Sequence, residues 1–259
     1  MDKAKDFDIM AVNTRRHRVS RRKRGRVRRL LFSLLLVTAL FFFLHSGVFA
    51  LQTVEVHGNQ RVTEAEIVRL AAVEPGLNLW QADIKGITSR VQAHPLIAHA
   101  EVTRRWPHTL VITVREREPL ALVAAAGDFL VVDGQGYVME RLHQLDQVDL
   151  PLISGLLLES DPGPGSRLSA AGLEAVLDVL RQLPPSARQQ VVEIEARDPD
   201  NLLLYLTGKI KVKFGDSTDV EGKWQRLKEA LQGIGRVEGL EYIDVSFAGP
   251  PAVRLRQER

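Results

Sequence analysis

Seven histidines, His17, His45, His57, His94, His99, His108 and His143, are the first residues to test for chemistry. None stands in an H-E-x-x-H frame or in another close pairing with carboxylates that would hold a metal ion. His94 and His99 flank Pro95 and need not face each other. Cysteine is absent, which removes disulfides, thiolate metal sites and cysteine nucleophiles. No G-x-S-x-G elbow or phosphate loop occurs. Gly233-Ile234-Gly235 runs into charge and reads as a helix stop. Asp133 sits in Asp133-Gly134-Gln135-Gly136, where an aspartate commonly bonds its own backbone, so a structural role is expected of it. These residues predict no catalytic group, no cofactor, no small-molecule substrate and no metal, and hence a protein that is not an enzyme.

The element that must position everything else is Leu30–Ala50, LLFSLLLVTALFFFLHSGVFA, which contains no Asp, Glu, Lys or Arg. As one helix it would reach about 32 Å, enough to cross a hydrocarbon core. Arg15 to Arg29 before it hold nine Arg and one Lys. Residues 1–29 carry twelve basic and three acidic side chains, a net +9 against +3 for the whole chain, so the remainder is −6. Positive charge this close to a span stays cytoplasmic, which predicts an exported body of residues 51–259. A cleaved signal peptide ending at Val48-Phe49-Ala50 is an alternative, opposed by the long basic region and the long apolar run. Ser20-Arg21-Arg22 hints at a twin-arginine signal, but an apolar pair does not follow. Nucleic acid is another alternative partner for the basic tract. The tract has no aromatic residue to stack bases, and the expected reading is a solvated, disordered arm touching anionic lipid.

Behind the span the pattern predicts an α+β body. Leu51–Val56 reads as a strand closed by Gly58-Asn59. Thr63-Glu64-Ala65-Glu66 fits a capping box, and Ile67, Leu70 and Ala71 give one helix face. Ile84, Ile87 and Val91 mark a second helix, stopped at His94-Pro95. Strands follow at Ile97–Arg104, with Ala98, Ala100 and Val102 on one face, and at Leu110–Val114. Trp106-Pro107-His108 forms the turn, and Trp106 is expected as a core or rim packing residue. Arg115-Glu116-Arg117-Glu118 reads as a solvated strand end. From residue 119 onward the chain is strand-rich, with strands expected at 120–126, 129–132, 137–139, 191–196, 202–206, 210–214, 242–247 and 252–255, and Leu150–Gly155 follows a polar loop. Helices are expected at 173–180 and 220–232, the second with Trp224, Leu227 and Leu231 on one face.

These residues resemble a known family. The β-α-α-β-β order looks like a POTRA domain. Arg105-Trp106-Pro107, the strand Leu110–Val114 and Glu116–Ala121 are similar to the end of that domain in FtsQ/DivIB cell-division proteins. Val132–Val138, Leu150–Gly155, Val212–Gly215, Lys223-Trp224 and Tyr242–Phe247 resemble the family's second domain. The resemblance implies a basic cytoplasmic arm at 1–29, a transmembrane helix at 30–50, a POTRA domain at 51–118 and an FtsQ-type β domain at 119–259. It also implies a bitopic inner-membrane scaffold of the division septum, with FtsB- and FtsL-like partners in the periplasm. One departure is Gly249-Pro250-Pro251, where proline removes a strand donor ahead of the last strand. If Ala252–Leu255 lies at a sheet edge, its unpaired backbone can template a partner strand. Tyr242, Phe247, Val253 and Leu255 would then supply apolar contacts, and Arg197 and Arg254 ion pairs. The alternative is a periplasmic chaperone or translocation module that receives outer-membrane proteins on the POTRA edge.

Overall fold

A computed structural model of the chain describes residues 16–144, 148–158, 160–234 and 240–255. Helix α1 (Arg16–Leu44) takes in both the basic tract and most of the apolar run. The expected disordered arm is therefore corrected from Arg16 onward, while residues 1–15 lie outside the described part. Arginine and lysine are good helix formers, and a helix already nucleated in the apolar run propagates into them at little cost. Arg26–Phe49 has a mean hydropathy of 2.1 and none of it is buried in the protein, so among the described residues one segment is long and apolar enough to cross a membrane. The helix ends at Leu44, six residues before the apolar run does, and Gly47–Phe49 form a 3-10 turn.

The next unit has the predicted order: β1 (Thr53–His57), α2 (Glu64–Ala71), α3 (Ile84–Gln92), β2 (Ile97–Arg105) and β3 (Thr109–Glu116). The sheet order is β1-β3-β2, with β1 parallel and β2 antiparallel to β3. Ile67, Ala71, Ile87 and Val91 of the helices pack on Ala100, Val102, Leu110 and Ile112 of the sheet. The capping box is half formed. The Thr63 hydroxyl accepts the Glu66 N–H at 3.3 Å, but the Glu66 carboxylate faces Arg69 and His94 instead of reaching back. Asp83 caps α3 by accepting the Gly86 N–H at 3.0 Å. A register shift between Ile97 and His99 takes Ala98 off the buried face, where Ile97 stands instead.

The remaining strands are β4 (Pro119–Ala125), β5 (Asp128–Asp133), β6 (Val138–Leu142), β7 (Leu152–Ser154), β8 (Val191–Glu195), β9 (Leu202–Leu206), β10 (Ile210–Gly215), β11 (Leu240–Asp244) and β12 (Ala252–Leu255). They form one nine-stranded sheet in the order β12-β11-β10-β9-β8-β7-β4-β5-β6. Helices α4 (Leu173–Gln182), the short α5 (Pro185–Arg188) and α6 (Val220–Ile234) contribute to the principal core, where Val176, Leu177, Leu180, Trp224 and Leu227 meet Ile194, Leu204, Val212 and Ile243. A smaller cluster, Leu122, Val131 and Met139, packs against Leu96 of the first unit. The two units therefore share an apolar contact. Gly235 of the expected helix stop lies outside the described residues.

The junction corrects another expectation. Arg115–Glu118 is not simply a solvated strand end. Glu116 accepts the backbone N–H groups of Gln60, Arg61 and Val62 at 2.7–3.0 Å. Burial pushes the Glu116 carboxyl up, but those donors outweigh it and hold the group below the usual carboxylate range. Arg117 turns the other way and pairs with Asp133 at 2.6 Å, both side chains under one-tenth exposed. The other Asp133 oxygen accepts the N–H groups of Gln135 and Tyr137, each at 2.9 Å, which is the backbone-bonding role read from its turn.

Candidate functional site

Strand β12 is the outermost strand of the large sheet, and all four of its residues are exposed. It pairs antiparallel with β11: Asp244 opposite Ala252, Ile243 opposite Val253, Tyr242 opposite Arg254, and, after a register shift, Leu240 opposite Leu255. Directly opposed residues share a sheet face. Val253 therefore shares the face of fully buried Ile243, and Leu255 that of Leu240, which packs against the principal core with Leu231 and Ile234 of α6. The core runs to the edge of the sheet and is left unfinished there, with Leu255 60% exposed. Among the described residues the outer side of β12 has no ladder partner, so its outward N–H and C=O groups are free to pair.

The opposite face carries Tyr242 and Arg254. Lys213 lies over the Tyr242 ring at 4.1 Å and Arg254 at 5.9 Å. Arg254 also pairs with Glu241 at 2.9 Å. Tyr242 first, and then Glu241, raise the guanidinium pKa above its ordinary value. Arg254 thus enters any contact with a partner by exchanging an internal one. The alternation of Lys211 and Lys213 with Ile210, Val212 and Phe214 marked this polar face in the sequence, although neither lysine was expected at the site.

Phe247 and Arg197 stand apart from this group. Phe247 falls beyond β11, in the bend that leads to Pro251, and is exposed. The strand expected at 242–247 is shifted to Leu240–Asp244. The Phe247 ring lies beside Gly249, where an added Cβ would stand 3.6 Å from it. Arg197 follows β8, four strands from β12, or about 19 Å at the usual strand spacing. It lies at the same end of the sheet as Ala252 and pairs with Glu195 at 3.0 Å. A partner strand on β12 does not reach it, so contact there needs a longer segment crossing the sheet end.

Among the described residues, three groupings rich in oxygen and nitrogen stand out away from this edge. Lys223, Asp216 and Thr218 form one, with the ammonium 2.5 Å from Asp216, and the carboxyl is lowered to about 2 chiefly by that lysine. His143 and Arg141 meet on Asp128, and Arg117 meets Asp133. Each is a set of contacts made within the fold, and among the described residues no group of three or more metal-ligating side chains occurs.

The described residues thus combine one apolar N-terminal helix long enough to cross a membrane, a three-stranded α+β unit and a large sheet with an open edge. The chain matches the family described as POTRA domain, FtsQ-type, over residues 49–117, and the one described as cell division protein FtsQ/DivIB, C-terminal, over residues 121–246. It is similar to the cell division protein FtsQ of Myxococcus fulvus, at 33% identity over 74% of this chain and 67% of that one. It is also similar to FtsQ of Syntrophotalea carbinolica, at 32% identity over 81% and 75%. The cell division protein DivIB of Clostridium tetani matches at 24% identity over 87% of each chain. The chain belongs to the FtsQ/DivIB family of cell division proteins.

Proposed function

We propose that this protein is a non-enzymatic, bitopic scaffold of the division machinery that receives FtsB- and FtsL-like partners by strand addition on β12. The observation that carries the reading is the outer side of β12, unpaired among the described residues, beside exposed Val253 and Leu255. Main-chain hydrogen bonds would give affinity, and the unfinished apolar edge would select the partner's side chains. Arg26, Arg28 and Arg29 at one end of the apolar helix support a cytoplasmic N-terminus and a periplasmic body, concentrated at the septum by its partners. Confinement to one membrane raises the effective concentration of single-span partners. The domain division follows the same reading: arm 1–29, span 30–50, POTRA domain 51–118 and β domain 119–259.

In-cell photo-crosslinking tests it, with the probe at Leu255 and, for comparison, at exposed Thr103 on the edge strand of the small sheet. Capture of a small single-span partner from Leu255 and not from Thr103 supports strand addition at β12. Capture of unfolded outer-membrane proteins from Thr103 moves the reading to the chaperone class.

A further inference from the structure

The helical part of the apolar run, Leu30 to Leu44, is about 15 residues and hence about 22 Å long. A hydrocarbon core is about 30 Å thick, and the remaining roughly 8 Å is shared between the flanking arginines of α1, which can snorkel, and the apolar chain beyond Leu44. That segment is not a loose tether. The Asn78 amide donates to the Leu44 carbonyl at 2.8 Å, and its oxygen accepts the Trp80 N–H at 2.9 Å. The Leu79 N–H donates to the Phe49 carbonyl at 2.9 Å, and the Leu51 N–H to Leu77 at 2.8 Å. From the other side, Arg104 of β2 donates to the carbonyls of Leu79 and Ala82 at 2.6 and 2.7 Å. The connector between α2 and α3 is thereby clamped between the end of α1 and the small sheet.

A chain of rings lies on this clamp. Phe43 of α1 meets Phe49 edge-on at 5.5 Å. Phe49 meets Trp106 at 5.8 Å and Trp80 at 6.2 Å, and the two tryptophans lie 4.4 Å apart. The chain starts within the apolar helix and ends on two indoles that are 53% and 44% exposed. Trp106 therefore packs at a rim, and on a partner the sequence did not point to. Two large rings brought together from separate loops and left open beside a membrane helix suit one environment above others. An indole has an apolar body and a polar N–H, and tryptophan concentrates at the boundary between headgroups and acyl chains.

We propose that Phe49, Trp80 and Trp106 form a seat in the headgroup–acyl boundary of the bilayer, on the side opposite Arg26–Arg29, so that lipid covers both indoles and the first folded unit rests directly on the membrane. The inference depends on α1 being a span. The occupant is lipid because the ring chain is continuous with the apolar helix and because the apolar run goes on past the end of that helix to Phe49 itself. Asn78 is the positioning residue, joining the last helical carbonyl to the backbone of Trp80.

The test uses the full chain in nanodiscs whose lipids carry a spin label either near the headgroup or at the acyl-chain end. With Trp224→Phe, the emission comes from Trp80 and Trp106. In the unaltered chain the same difference is read above the constant signal of buried Trp224. The seat requires loss of most of this emission with the shallow label, less loss with the deep label, and weak quenching by aqueous acrylamide. Emission insensitive to both labels overturns it, whether acrylamide quenches (rings open to water) or does not (rings covered by a second copy). A chain with all three tryptophans changed to Phe and carrying Leu36→Trp reports on the span itself. Deep-label quenching there, without quenching at the seat, refutes the seat alone. No quenching there refutes the span, and the seat with it.

Discussion

Arg117→Met is the substitution from which most can be learned about what holds the two folded units in register. Arg117 leaves the end of the small sheet and reaches Asp133, the last residue of β5, at 2.6 Å, with side chains 8% and 7% exposed. Its guanidinium lies 4.0 Å from the centre of the Tyr137 ring, and its carbonyl accepts a hydrogen bond from Arg61. Removing one partner of a buried pair costs about 3–5 kcal/mol, because the other charge stays buried without compensation. Two features pull toward the lower end. Asp133 keeps its two backbone N–H donors, and the Arg117 Nε has no partner to lose. The lost stacking on Tyr137 returns about 1 kcal/mol to the cost. The expectation is therefore a loss of about 3–5 kcal/mol, seen as a fall of more than about 1 M in the urea midpoint of the large-sheet unit. Trp224 fluorescence follows that unit, since the residue packs in its core. Adding Asp133→Asn should cost far less in the Arg117→Met background than alone. A loss under about 1 kcal/mol would show the pair behaving as a surface one and would refute the burial argument.

Other perturbations have outcomes fixed by local geometry. Asp216 has its carboxyl lowered from 3.8 to about 2, chiefly by Lys223 and then Thr218. Its contribution is full above the unfolded value and is lost as pH falls from about 4 through about 2, so Asp216→Asn should flatten the acid limb of a thermal-melt pH profile. The effect should be modest, because the Asp216 side chain is 46% exposed. Gly58 has φ +84°, and a Cβ there would lie 2.1 Å from the Val114 carbonyl oxygen. Gly58→Ala should therefore destabilise the small sheet by at least about 1–3 kcal/mol in urea titration. Thr63→Ala removes the cap of α2 and should cost about 1 kcal/mol by the same measurement.

The small unit was legible because each element announces itself locally. Thr63 and the Ile67-Leu70-Ala71 face give α2, and alternation gives β2 and β3. The strand Ala252–Leu255 was also placed to the residue, since Pro251 leaves it only one place to begin. Long-range facts were not legible. That β7 would lie parallel between β4 and β8 depends on pairings far apart in sequence, for which no local pattern exists. The charges of Arg115–Glu118 looked solvated because their partners, the 60–62 backbone and Asp133, come from other segments. Phe247 was read into β11 because Tyr242–Phe247 is apolar enough for a strand, but Asp244 accepts the Ser246 N–H at 3.0 Å and turns the chain out of the sheet. At the candidate site, Tyr242, Val253, Arg254 and Leu255 come together through the β11–β12 pairing. Arg197 is expected beside them as an ion-pair partner from its charge, and the strand order separates it.

Backbone hydrogen exchange along β12 tests the central claim most directly. Successive N–H groups of a strand point alternately to its two neighbours, so one set in Ala252–Leu255 is tied to β11 and the other faces outward. Residue-resolved NMR exchange would be measured on the full chain, alone and with a co-purified FtsB/FtsL-like pair. Strand addition predicts that the outward set slows on binding while the amides of β6, at the opposite edge, do not change. Binding that leaves the outward amides exchanging as fast as in the free protein would contradict it and would reduce the edge to a side-chain contact.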